Sequence, residues 1–134
     1  MPKSTLQAAA LPWRDGRICM VTSRSGKRWV VPKGRIELGQ TAQQTAAADA
    51  CEEAGLKGNL SDSPIGSYRY VKFQVEYGVD VFLMLVDAVE DDWPEVEERE
   101  REWVSVAEAL NRIDETELRR IVQLTAARMA AGVL

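Results

Sequence analysis

The 134-residue sequence predicts a single mixed α/β domain, and three observations carry that reading. First, residues 73–89 hold the longest strand signal. Val75, Tyr77, Val79 and Val81 alternate with Gln74, Glu76, Gly78 and Asp80, and every residue from Val81 to Val86 is apolar. Alternation fits a strand with one wet face, and the unbroken run fits its passage into a sheet centre covered on both faces. Second, the alanine-rich run Ala42–Ala54 reads as a helix. Thr41 and Gln44 form a capping box at its start, and Gly55 stands where a helix-ending glycine belongs. Third, further short strands and two more helical segments are interspersed with these, as in a layered domain of both element types.

In chain order, residues 6–13 and 17–23 read as strands joined by a turn at Asp15-Gly16. Residues 29–31 form a short strand that Pro32 ends, and residues 32–39 are a loop with Gly34 and Gly39 as its flexible points. After the Ala42–Ala54 helix, residues 65–72 and 73–89 are strands. The acidic stretch 90–102 is a loop, and Trp103-Val104 is a short strand. Ser105 and Glu108 read as a second capping box. Asp114 to Glu117 reads as the cap of a last helix with Leu118, Ile121, Val122, Thr125 and Met129 along one stripe.

Composition narrows the chemistry. Hydrophobic residues make up 46% of the chain, which suits one compact domain over residues 1–134. No apolar run is long enough for a bilayer, and no signal-peptide core follows Met1-Pro2-Lys3-Ser4. The expectation is a cytoplasmic protein without membrane contact, with Cys19 and Cys51 as reduced thiols. There is no histidine, which excludes Ser-His-Asp and Cys-His catalysis and His-ligated zinc. A metal site would have to use carboxylates and would favour Mg²⁺ or Mn²⁺. Residues 1–72 hold 11 Lys/Arg against 6 Asp/Glu, whereas residues 73–134 hold 6 against 15. The basic first half suits an anionic partner. The acidic whole, with no basic run interleaved with aromatics, argues against nucleic acid.

On the Ala42–Ala54 helix, Asp49, Glu52 and Glu53 are spaced i, i+3 and i+4, so their carboxylates share a face and repel. Glu52 and Glu53 also lie in the last turn, where the helix dipole disfavours anions. Folding needs neither penalty, and a bound divalent cation would relieve both. A solvated acidic face is the plain alternative; the glycine loop immediately upstream favours a metal platform.

Residues 34–56 resemble the Nudix box, G-x5-E-x7-R-E-U-x-E-E-x-G-U with U aliphatic. Gly34, Glu52, Glu53, Gly55 and Leu56 match, with no insertion. Gln40 replaces the first glutamate, Ala48 the arginine and Asp49 the next glutamate. Trp29-Val-Val-Pro-Lys33 resembles the family's strand before the box. Residues 100–103 and 106–110 resemble its last strand and following helix. Within the family, Trp29 to Pro32 and Asp92-Trp93 to Trp103 look most like the diphosphoinositol polyphosphate and diadenosine polyphosphate hydrolases.

The resemblance implies a Nudix-like α/β/α sandwich with a mixed β-sheet and a loop–helix–loop catalytic motif. It implies Mg²⁺ or Mn²⁺ held by Glu52, Glu53, Asp49 and the Gly34 carbonyl, hydrolysing a small diphosphate-containing substrate such as a nucleoside diphosphate linked to another group. Glu53, then Glu52, is expected as the base; Glu97 or Glu98 of the acidic loop is a further candidate, with a solvated charge run as the favoured reading of that loop. Lys33, Arg35 and Arg24 are expected at the phosphates, Arg69 and Lys72 behind them. The departures at Gln40, Ala48 and Asp49 imply reduced activity, or, as the alternative, a non-catalytic Nudix-like module that senses a nucleotide or phosphorylated ligand. The sequence is compatible with a homodimer.

Overall fold

The computed structural model describes residues 3–132. Eight strands and three helices follow one another: β1 (Lys3–Arg14), β2 (Arg17–Thr22), β3 (Trp29–Val30), β4 (Lys33–Arg35), α1 (Ala42–Ala54), β5 (Leu56–Leu60), β6 (Gly66–Lys72), β7 (Val75–Val89), β8 (Arg101–Ser105), α2 (Val106–Arg112) and α3 (Thr116–Ala130).

The strands make one mixed sheet with the main path β3-β2-β1-β7-β5. Its backbone is the parallel pair β1–β7, in register from Lys3↔Val75 to Trp13↔Leu85. All other pairings are antiparallel. β1 gives the C-terminal end of its other edge to β2 and residues 7–9 to β4, so the sheet forks there. Side chains that alternate along β1 and β7 feed two cores. Ala9, Leu11, Val79, Val81 and Leu83 face Leu118, Ile121 and Val122 of α3. Ala8, Ala10, Phe82, Met84 and Val86 face Ala46, Ala50 and Ala54 of α1. The result is the expected α/β/α sandwich, with α1 on one face and α2 and α3 on the other.

Several local expectations hold. Thr41 caps α1 in a full capping box, and Gly55 ends it in the left-handed region at φ 66°. The two-residue turn Asp15-Gly16 has φ of 52° and 73°, which suits a right-twisted hairpin. Cys19 is buried, Cys51 partly so, and both are free thiols. No helix among the described residues is long and apolar enough to cross a membrane.

Other expectations are corrected. Residues 32–39 are not all loop: Lys33–Arg35 pairs with β1 because β1 offers an open edge there, a tertiary effect that overrides weak strand propensity. Leu56–Leu60 is an edge strand whose Lys-Gly-Asn centre hides its signal. Phe73 and Gln74 are not in the long strand; they form the two-residue turn between Lys72 and Val75. Ser105 caps α2 alone, because Glu108 bonds Arg112 instead of returning to the cap. Glu115 is the N-cap residue of α3 and makes no side-chain cap; Asp114 and Glu115 both bind Arg28.

The turn at Phe73-Gln74 yields a stability prediction. Both residues have positive φ, 49° and 63°, which costs a side-chain-bearing residue about 1–2 kcal/mol, and Phe73 buries almost nothing in return at 88% exposure. Phe73→Asn with Gln74→Gly installs the preferred turn pair and should raise unfolding stability by about 1–2 kcal/mol. Urea unfolding measures it. An unchanged midpoint would mean that the turn stores no strain.

Candidate active site

Helix α1 lies close enough to β4 that the Asp49 carboxyl group sits on the backbone of Gly34. A Cβ at position 34 would fall on that carboxylate, 2.8 Å from its Cγ, so only glycine fits. The Oδ2 atom of Asp49 is buried and has no hydrogen-bond partner. Burial, with the charges of Glu52 and Glu95 next, pushes the Asp49 pKa up to about 6. One turn further, Glu53 is buried with its side chain only 7% exposed. Burial pushes its pKa up to about 8 against the pull of Arg99, while Asp49 and Glu95 add to the rise. Glu52 is exposed. The acids expected on one shared face therefore divide: Asp49 and Glu53, one turn apart, point inward, and Glu52 stands in solvent.

The loop between β7 and β8 closes the site. Arg99 directs Nη1 at Glu53 Oε1, 3.6 Å away, and donates Nε to Glu95 Oε1 at 2.7 Å and Nη1 to the Thr22 carbonyl at 2.9 Å. The same loop covers the C-terminus of α1. Glu95 N donates to the Glu52 carbonyl, Trp93 Nε1 to that of Glu53, and Arg101 Nη1 to that of Ala54. The dipole penalty on Glu52 and Glu53 is thus relieved partly by two arginines remote in sequence, a means that the helix alone does not reveal. The loop acid that reaches the carboxylates is Glu95; Glu97 and Glu98 are both exposed, in line with the favoured reading of that stretch as a solvated charge run.

A cleft of about 600 Å³ opens beside Glu53. Lys33, Arg24, Arg28, Lys72 and Arg99 line it, against the acids Glu53 and Glu115. Lys33 has no ion-pair partner among the described residues; burial lowers its pKa, and its ammonium lies 5.5 Å from the centre of the Tyr70 ring. Tyr70 stacks on Tyr77 at 4.8 Å and donates its hydroxyl to Gln7 Oε1. Of the expected phosphate contacts, Lys33 and Arg24 line the cleft, whereas Arg35 is exposed and outside its lining. Lys72 lines it too, while Arg69 pairs with Glu76. Trp29 is stacked under Arg112 at 4.8 Å and Tyr68 is buried in the core, whereas Tyr70 and Tyr77 line the cleft.

Arg28, Glu95 and Arg99 are absent from the sequence-based set. Arg99 had one signal: it lies four residues after Glu95, the spacing of a helical ion pair, amid an otherwise acidic run. Arg28 had none, because its partners are 86 and 87 positions away.

The residues fit a hard divalent ion. Asp49 supplies an unpartnered buried carboxylate oxygen against the backbone of Gly34, and Glu53, one turn on, adds a second carboxylate. Among the described residues no three acidic or thiol side chains converge on one point, so an ion held by these two carboxylates would be completed by water and phosphate oxygens.

The family model described as NUDIX domain matches residues 3–125. Nudix hydrolase 12, mitochondrial, of Arabidopsis thaliana is 35% identical over 101 residues, covering 69% of this chain and 50% of the relative. Nudix hydrolase 16, mitochondrial, of the same plant is 32% identical over 129 residues, covering 80% and 71%. The chain spans about half the length of most curated relatives it matches. A crystal structure of a C. elegans Ap4A hydrolase binary complex superposes with a TM-score of 0.80 at 20% identity, covering 95% of this chain and 98% of that one. A MutT NUDIX hydrolase from Burkholderia pseudomallei gives 0.69 at 18%, covering 90% and 95%. At these identities the structural likeness shows the fold.

The buried carboxylates set a pH dependence for the metal-free protein. Both pKa values are raised on folding, so their stabilising contribution is complete below the unfolded values near 4. It is lost as pH rises through about 6 for Asp49 and about 8 for Glu53. In chelator, Tm should fall between about pH 5 and about pH 8, and Glu53→Gln should flatten that fall. Equal slopes in the two proteins would clear Glu53 of responsibility.

Proposed function

Because the chain belongs to the Nudix family, we propose that it is a divalent-metal-dependent hydrolase. Its substrate is a nucleoside diphosphate linked to another group, or a related polyphosphorylated compound, cleaved at a pyrophosphate bond. The observation that supports this most is the buried carboxylate of Glu53, one turn from Asp49, lining a cleft walled by cations.

Asp49, Glu53 and the Gly34 carbonyl would hold Mg²⁺ or Mn²⁺, with Glu52 at the solvent edge. The ion supplies charge neutralisation at the phosphoryl oxygens and acidifies the attacking water. Lys33, desolvated and unpaired, donates to a phosphate oxygen at a site where its charge is little screened. Arg24 and Lys72 extend that contact along the cleft. A glutamate not held by the ion, Glu53 first and Glu52 second, takes the proton of the attacking water as the water oxygen bonds to phosphorus and the bridging P–O bond breaks, the electron pair leaving with the departing phosphate. The stacked pair Tyr70–Tyr77 offers an aromatic wall to the rest of the substrate.

Turnover of a panel of diphosphate-linked compounds, Ap4A among them, with Mg²⁺ or Mn²⁺ tests the proposal. Ligand-induced stabilisation without turnover of any compound would replace it with a binding module. Mn²⁺ should raise Tm by mass action, and Glu52→Gln with Glu53→Gln should abolish the rise. A rise equal to the parent's in the double variant would move the metal elsewhere. Lys33→Ala should weaken substrate use by roughly tenfold, about the worth of one charge-assisted hydrogen bond, and Arg35→Ala by less than about threefold. Equal losses in both variants would redraw the phosphate path.

A further inference from the structure

Glu53 is a buried carboxylate whose own helix offers it no cation. The last turn of α1 contains no basic residue, and position 48 is an exposed alanine. Its counter-charge crosses from the β7–β8 loop, where the guanidinium of Arg99 is itself almost wholly buried, at 7% exposure. At 3.6 Å the contact with Glu53 is a fixed charge at close range and not a hydrogen bond.

What fixes it is a set of contacts to other groups. Nε bonds Glu95, and Nη1 bonds the Thr22 carbonyl. Both anchors are tied down in turn. Thr22 exchanges two hydrogen bonds with Glu100, through Thr22 N to the Glu100 carbonyl and Glu100 N to Thr22 Oγ1. Glu95 N is bonded to the Glu52 carbonyl, one residue from the carboxylate that Arg99 faces. The arginine is thereby locked to the end of β2 and to the end of α1 at once. A planar fork with donors on separate nitrogens can span these partners, whereas a lysine ammonium presents one point.

We propose that Arg99 is a positioning residue for Glu53, holding that carboxylate toward the cleft from the β7–β8 loop, a task that Ala48 cannot perform. The proposal rests on the hydrolase reading for its kinetic arm only; its metal arm stands without it.

The experiment uses the whole chain, the variants Arg99→Ala and Arg99→Lys, Mn²⁺ as metal probe and the best compound of the panel. Loss of a group that orients a ligating carboxylate typically costs about 10–100-fold, so kcat should fall by that order with KM within about threefold. Mn²⁺ affinity, read by electron paramagnetic resonance, should weaken by the same order. Millimolar guanidinium should restore part of the kcat of Arg99→Ala, and Arg99→Lys should stay low. A loop rivet with no bearing on Glu53 would lower Tm while leaving kcat and Mn²⁺ affinity of the folded protein at parental values; that result overturns the proposal. So does a raised KM with unchanged kcat, which would make Arg99 a substrate contact. Should Arg99→Ala not fold, Glu95→Gln loosens the Nε anchor with the arginine in place. Reduced kcat and Mn²⁺ affinity there support the proposal, and parental values overturn it. If the parent turns over no compound, the hydrolase reading fails, and the Mn²⁺ affinities still decide the role of Arg99.

Discussion

Helix α1 meets the sheet through small side chains. Ala46, Ala50 and Ala54 of the helix and Ala8 and Ala10 of β1 are all fully buried in one core. Alanine allows a close approach, and at close packing density that approach leaves little slack. The rest of the site follows from it. With α1 pressed onto β1, and β4 pinned to the same strand, the Asp49 carboxyl comes down on Gly34 and Glu53 is carried under the edge of the cleft. Larger side chains at the helix–sheet contact would lift the acids away from Gly34 and Arg99 together.

Such packing buries charge, and buried charge must be answered. The raised pKa values of Asp49 and Glu53 show that neither carboxylate is fully compensated in the metal-free protein. The compensation present comes from the β7–β8 loop. Arg99 faces Glu53, and Arg101 binds the terminal carbonyl of α1 while stacking on Trp93 at 4.1 Å. The most acidic loop thus contributes Arg99, and the first residue of β8 contributes Arg101, the two cations that steady the acidic end of the helix. On the far side of the cleft Arg28 is held by Asp114 and Glu115, which leaves Lys33 as the buried cation with no acid bound to it among the described residues.

Where local physics decides, the sequence was legible. The capping box at Thr41, the stop at Gly55 and the Asp15-Gly16 turn depend on neighbours a few residues apart and stand as read; the central strand stands in existence and end, but it begins at Val75 and leaves Leu85 exposed. The readings that failed depended on partners elsewhere. Lys33–Arg35 became a strand because β1 had a free edge, and Asp114 turned from a helix cap to an ion pair because Arg28 was within reach. Phe73 and Gln74 show a third kind of failure: they continue the apolar–polar alternation of the long strand, yet the two-residue return between β6 and β7 required positive φ from whatever residues stood there.

The sequence by itself determined the α/β class, the cap-to-cap extent of α1, and the spacing that sets Asp49 and Glu53 one turn apart behind a glycine. These rest on short-range geometry, the 3.6-residue turn and the steric freedom of glycine. Only the tertiary structure decided which acids turn inward and which face solvent. It likewise decided that Glu95 in place of Glu97 or Glu98 joins them, and that Arg99 answers the buried charge at a helix whose own position 48 is alanine. Burial and long-range pairing set those outcomes. Both depend on how the loop after β7 folds back across the end of α1, which no local pattern encodes.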